Sequence, residues 1–249
     1  MADAEYLFEF IAGFFYLIVA VQLLRLAAAS HESSQRLLGI AFLFFGVSYV
    51  FTEAPFAFEP GTFSIPTLFA GRLLYNVGAV VLALCNREMF QKGERWAAWL
   101  VVGLAAMLAA GVGISLRGGD WEGAEPLGNV GFWLEWIGQL GAFVWIAIEA
   151  CVQCSKARKR AALGLCEPAA FHRYLLLSLF GFIEVCAFFA MIPLYVIYET
   201  QNRFYVWMDV LLGMCEILPV LLVWLAFQPP ASYRAWIDRC SARKARGAR

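Results

Sequence analysis

An all-α, seven-helix transmembrane bundle, with its N-terminus outside and its C-terminus inside, is predicted by three observations. The 249-residue chain is 62% hydrophobic and 15% charged, with mean hydropathy +0.69, whereas soluble domains are nearer half apolar and a quarter charged. Seven windows of about 20 mainly apolar residues recur along it. The basic residues gather in alternate connections between those windows, as lysine and arginine resist translocation.

The windows run from Tyr6 to Ala28, Leu37 to Phe56, Pro66 to Cys85, Trp96 to Leu116, Val130 to Val152, Tyr174 to Tyr198, and Phe204 to Phe227. The first competes with a cleaved signal peptide, because Leu26-Ala-Ala-Ala-Ser30 offers small residues for cleavage. Met1-Ala-Asp-Ala-Glu5 has no positive n-region and the apolar stretch is too long, so the window is read as a span. In the fifth, Glu149 is expected to pair with the following basic run, Lys156 to Arg160. Cys151 and Cys154 form a C-x-x-C on a continuing helix, with no second pair or nearby histidine to suggest zinc. Glu167-Pro168 is a helix-start signal for the sixth window. Pro193 and Pro219 can kink the sixth and seventh.

The connections expected inside hold Arg25 and Arg36; Arg87, Lys92 and Arg95; Lys156, Arg158, Lys159, Arg160 and Arg173; and the tail from Arg234 to Arg249. Of the 19 basic residues only Arg72, Arg117 and Arg203 lie elsewhere. No internal repeat, low-complexity tract or soluble domain is evident. Residues 1–228 form the bundle and 229–249 a basic cytoplasmic tail, because Pro229-Pro230 cannot continue a helix. Tyr233, Trp236, Ile237 and Cys240 then recur at helical spacing, the pattern of a short helix on the inner leaflet that meets anionic lipid or a cytoplasmic protein. Aromatics near span ends, such as Trp96, Trp99, Trp133 and Tyr205, suit an interfacial belt.

Polar groups inside the windows carry the functional expectation. A charge at membrane depth costs about 3 kcal/mol unless paired or hydrated, yet Glu9, Glu53, Glu135, Glu149, Glu184, Asp209 and Glu216 fall within or at the edge of spans, with Arg72 as companion. Helical rise places Glu9, Arg72, Glu135 and Asp209 in the outer half, and Glu184 and Glu216 near the centre. Arg72 and Asn76 are four apart, as are Glu135 and Gln139; Asp209 and Glu216 are seven apart, so each pair shares one helix face. An internal polar cavity facing outward is expected, with Arg72 as counter-ion for Glu135, Glu216 or Asp209, and Tyr75 and Asn76 in its walls. The alternative is that these groups are interhelical hydrogen-bond partners that only hold the bundle together.

Several classes are excluded or unsupported. A retinal Schiff base needs a lysine in the last span, and Lys92, Lys156, Lys159 and Lys244 are all outside the windows. His31 and His172 are also outside them, which leaves no intramembrane zinc or bis-histidine haem site. No nucleotide loop, G-x-S-x-G or HExxH is present, so neither a catalytic activity nor a cofactor is expected. The basic loops serve topology, and nucleic acid is not an expected partner.

Trp145, Glu149, Leu163-Gly164-Leu165, Glu167-Pro168 and Arg173-Tyr174, with Gly71-Arg72 and Gly78 on the third window, resemble the pattern of a group of bacterial seven-helix integral membrane proteins of no assigned activity. The resemblance implies a bacterial inner-membrane location and transfers no site. The expectation is a sensor or receptor-like protein with a polar, acidic, outward pocket for a small ligand. The alternative is a transporter of a proton, cation or small cationic solute using buried carboxyls.

Overall fold

The computed structural model describes residues 2–58, 65–118, 128–163, 168–198, 216–237 and 239. Six long helices come first: α1 (Ala2–Ser30), α2 (Ser33–Phe58), α3 (Ile65–Phe90), α4 (Arg95–Gly118), α5 (Val130–Ala162) and α6 (Pro168–Tyr198). A shorter α7 (Glu216–Phe227) and the two-turn α8 (231–237) follow. Among the described residues there is no strand. All six long helices contain a stretch long and apolar enough to cross a bilayer, the mark of a multi-pass membrane protein. The seventh window is described from Glu216 onward, and Asp209 lies outside the described residues.

The helices outrun their apolar windows, because hydropathy marks the hydrocarbon depth whereas helix continues through any run of good formers. The basic run Lys156 to Arg160, expected in a loop, therefore belongs to α5. That helix ends at Ala162, where Leu163 N–H donates to Arg160 O at 3.1 Å. Its start is fixed by Asn129, whose Oδ1 accepts from Gly131 N at 2.7 Å and Phe132 N at 3.4 Å. Asn129→Ala should lower stability by about 1 kcal/mol, read as a lower unfolding midpoint in detergent with unchanged helix content. α6 opens on Pro168, where a missing N–H costs nothing, and it runs unbroken through Pro193. Between α3 and α4 the chain reverses over Gly93, whose φ of 91° is a conformation that favours glycine.

α1 packs on α2, α2 on α3, α3 on both α4 and α5, α4 on α5, and α5 on α6. α7 is tied to α1 where Gln228 Nε2 donates to Gln22 O at 3.2 Å. Within lipid, helices associate through close packing rather than a hydrophobic drive, and glycines set the distance. A Cβ on Gly71 would stand 2.5 Å from Thr52 Cγ2, and one on Gly78 2.7 Å from Phe45 Cε1. These glycines are seven apart on one face of α3, so that face lies flush against α2.

Midway along the bundle, Phe42 and Phe45 of α2, Phe143 of α5 and Phe180 of α6 are fully buried. Their rings form a closed set: Phe42–Phe180 at 5.7 Å, Phe180–Phe143 at 6.0 Å, Phe143–Phe45 at 5.8 Å and Phe45–Phe42 at 6.4 Å. Below this plug lies the end rich in arginine and lysine. There Ser33 Oγ and Lys92 Nζ both reach Glu88 Oε1 at 2.7 Å. Glu149 does not follow the expected pairing with Lys156 to Arg160: Gln91 Nε2 donates to its Oε1 at 2.7 Å. The basic run continues on Glu149's own helix, roughly 10 Å or more along the axis at 1.5 Å per residue. The extension of α3 instead brings Gln91 alongside.

Candidate functional site

Above the phenylalanine plug, a cavity of about 500 Å³ lies between the helices. Its residues come from the early parts of α1, α3, α5 and α7 and the late parts of α2 and α6. Successive antiparallel helices thus deliver them to one end of the bundle, opposite the basic end.

Its centre is an ion pair between α3 and α5. Arg72 Nε donates to Glu135 Oε2 at 2.7 Å, and Arg72 Nη2 to Glu135 Oε1 at 2.5 Å. This parallel fork is the strongest common geometry for a guanidinium and a carboxylate. The Glu135 side chain is 4% exposed and that of Arg72 27%, so the carboxylate is desolvated while the guanidinium reaches the cavity. Nη2 also donates to Ser115 Oγ of α4 at 2.8 Å. Behind the pair, Asn76 Nδ2 donates to Glu135 Oε2, and Gln139 Nε2 to Asn76 Oδ1, each at 2.7 Å. The polar stripes of α3 and α5 therefore interlock as one four-residue network.

Glycine makes this network geometrically possible. A Cβ on Gly111 of α4 would fall 2.6 Å from Glu135 Cγ and 2.7 Å from Gly131 O. One on Gly131 of α5 would fall 2.5 Å from Ser115 Oγ. The α4 and α5 backbones meet at these two residues, and that close approach lets Ser115 reach the guanidinium.

Four more carboxyl groups line the cavity: Glu9 of α1, Glu53 of α2, Glu184 of α6 and Glu216 of α7. Tyr16 Oη donates to Glu184 Oε1 at 2.9 Å, joining α1 to α6. Five aromatic residues, Tyr49, Tyr75, Phe132, Trp136 and Phe188, also line it. Arg72 is the sole base among the described lining residues.

Of the residues expected at a site, the fold brings Glu9, Arg72, Tyr75, Glu135, Gln139, Glu184 and Glu216 to one cavity. Asn76 is not in its wall as expected, because its amide is spent between Glu135 and Gln139 behind the surface. Asp209 lies outside the described residues. Of the three acids expected as its partner, Glu135 is seen to take the arginine. Ser115 and Tyr16 were not expected, since each is a single polar group in an apolar run. Ser48 and Thr52, four apart on α2, also line the cavity and carried the spacing that could have found them. Among the described residues no group of three metal-ligating side chains is placed to hold an ion.

Fold and site together define a multi-pass membrane protein with an ion-paired, acid-lined cavity inside its helices. No family model, curated protein or solved structure matches the chain.

Proposed function

We propose that this protein is a receptor-like seven-helix sensor of the bacterial inner membrane. Its N-terminus is outside, its C-terminus inside, and it binds a small organic cation in the cavity, beside the carboxyls of Glu184 and Glu216. The observation that carries this reading is the composition of the wall: among the described lining residues, five carboxyl groups stand against one guanidinium, whose charge is matched by Glu135. The balance favours a positive ligand. The aromatic faces favour the same choice, because a cation over such a ring gains about 0.5–2 kcal/mol, most when desolvated. The phenylalanine plug supports a sensor over a transporter, since four fully buried rings, packed on one another, stand between the cavity and the basic end. The basic residues at that end support the orientation.

Thermal unfolding of the purified protein with benzylamine, tetramethylammonium and benzoate tests the reading. Ligand at 100 times its Kd stabilises by about 2.7 kcal/mol, so the cations should raise the midpoint saturably and benzoate should not. Glu184→Gln or Glu216→Gln should weaken cation binding about tenfold or more, the worth of one charged hydrogen bond. Equal protection by benzoate would sink the proposal. Proteoliposome flux that depends on Glu184 or Glu216 would establish the transporter instead.

A further inference from the structure

A second pocket, of about 340 Å³, lies at the basic end between the start of α6, the end of α7 and α8. We infer that it binds the phosphate group of an anionic phospholipid through Arg173 and Arg234. Both arginines line it and both are exposed. Among the described residues each is held by a contact: Arg173 Cζ stands 5.3 Å from the centroid of the Phe227 ring, and Arg234 Nε donates to Pro229 O at 3.0 Å. Those contacts limit side-chain freedom, and a guanidinium carries five N–H donors, so the terminal groups keep donors for phosphate oxygens. A guanidinium fork matches that geometry better than an ammonium. No carboxyl is among the described lining residues to oppose an anion.

The pocket is built rather than incidental. α8 is docked by Ile237, which is buried, and by its aromatic rings on His172, with Tyr233 at 6.2 Å and Trp236 at 5.8 Å. A lipid fits it better than a soluble phosphate because the other wall is apolar. Leu176 of α6 and Leu225 and Phe227 of α7 line it, from the turns of two apolar helices nearest the basic end. Beside it Trp236 is half exposed and stacks on Tyr233 at 5.7 Å, as suits an interfacial ring. Basic pockets between helix ends are a recurrent seat for lipid headgroups.

Native mass spectrometry from detergent, with phosphatidylglycerol and phosphatidylcholine offered together, tests the inference. The wild type should retain one phosphatidylglycerol in preference. Arg173→Gln with Arg234→Gln should reduce that preference by roughly thirtyfold, as expected for two surface cations at about 1 kcal/mol each. Arg173→Lys with Arg234→Lys keeps the charge and loses the fork, so its preference should be intermediate; it also serves if the glutamine pair folds poorly. Arg95→Gln with Lys156→Gln removes two charges from the same end and should leave the preference intact. The assignment fails if the glutamine pair binds like the wild type, or if the Arg95/Lys156 control loses as much. It fails also if inorganic phosphate alone raises the unfolding midpoint as far as the lipid does.

Discussion

Arg72→Met is expected to destabilise the protein by about 3–5 kcal/mol, because it strands a buried carboxylate. Glu135 is 4% exposed, and without the guanidinium its charge keeps only the amide of Asn76 as a partner. Arg72→Met combined with Glu135→Leu should recover at least half of that loss, since a buried ion pair replaced by apolar groups of similar volume is often neutral. Recovery should stop short of complete: Asn76 would lose an acceptor, and a buried polar group without its partner costs about 1–3 kcal/mol. Equilibrium unfolding in detergent, followed by tryptophan fluorescence, measures both. If the double variant is no more stable than the single one, desolvated charge is not what Arg72 relieves. The double variant also separates folding from binding, because it should stay folded while the cavity's affinity for ligand changes.

The other large effect should come from the smallest residue near the site. Gly111→Ala adds one methyl, 2.6 Å from Glu135 Cγ, 2.7 Å from Gly131 O and 3.0 Å from Glu135 N. Two of those atoms are backbone, so relief requires α4 and α5 to separate, which pulls Glu135 from Arg72. A cost at or above the upper end of the usual overpacking range, about 3 kcal/mol, is expected. Gly103→Ala is the matched control on the same helix, where an added Cβ meets nothing within 4 Å. There the gain in helix propensity should stabilise by up to about 1 kcal/mol. Opposite signs for one chemical change on one helix would locate the effect in the contact; equal signs would refute it.

Much of this site was legible in the sequence. Arg72 with Asn76 and Glu135 with Gln139 show the four-residue spacing that puts polar groups on one helix face, and charge in an apolar window demands an inward partner. The choice among Glu135, Glu216 and Asp209 was not legible, because it depends on which helices are neighbours and hydropathy carries no neighbour order. Ser115 and Tyr16 were hidden for another reason: a lone hydroxyl costs too little in an apolar run to mark itself. The helical state of Lys156 to Arg160 was missed because a topogenic loop and a charged helix have the same composition. Gly71 and Gly78 were noted as part of a motif, but their role as the flush face against α2 needed the packing itself.

The length of α5 has a mechanical consequence. Its 33 residues make a rod of roughly 50 Å at 1.5 Å per residue, against a hydrocarbon core of about 30 Å. Glu135 sits near one end and the basic run near the other, with the glycine contact to α4 close to Glu135. A rigid rod pivoting at that contact is a lever with a short arm in the cavity and a long arm at the opposite face. A rotation of about 5° would sweep Lys156 to Arg160 by roughly 3 Å over the intervening helix length. A change at the ion pair too small to alter the fold would thus be magnified at the basic end.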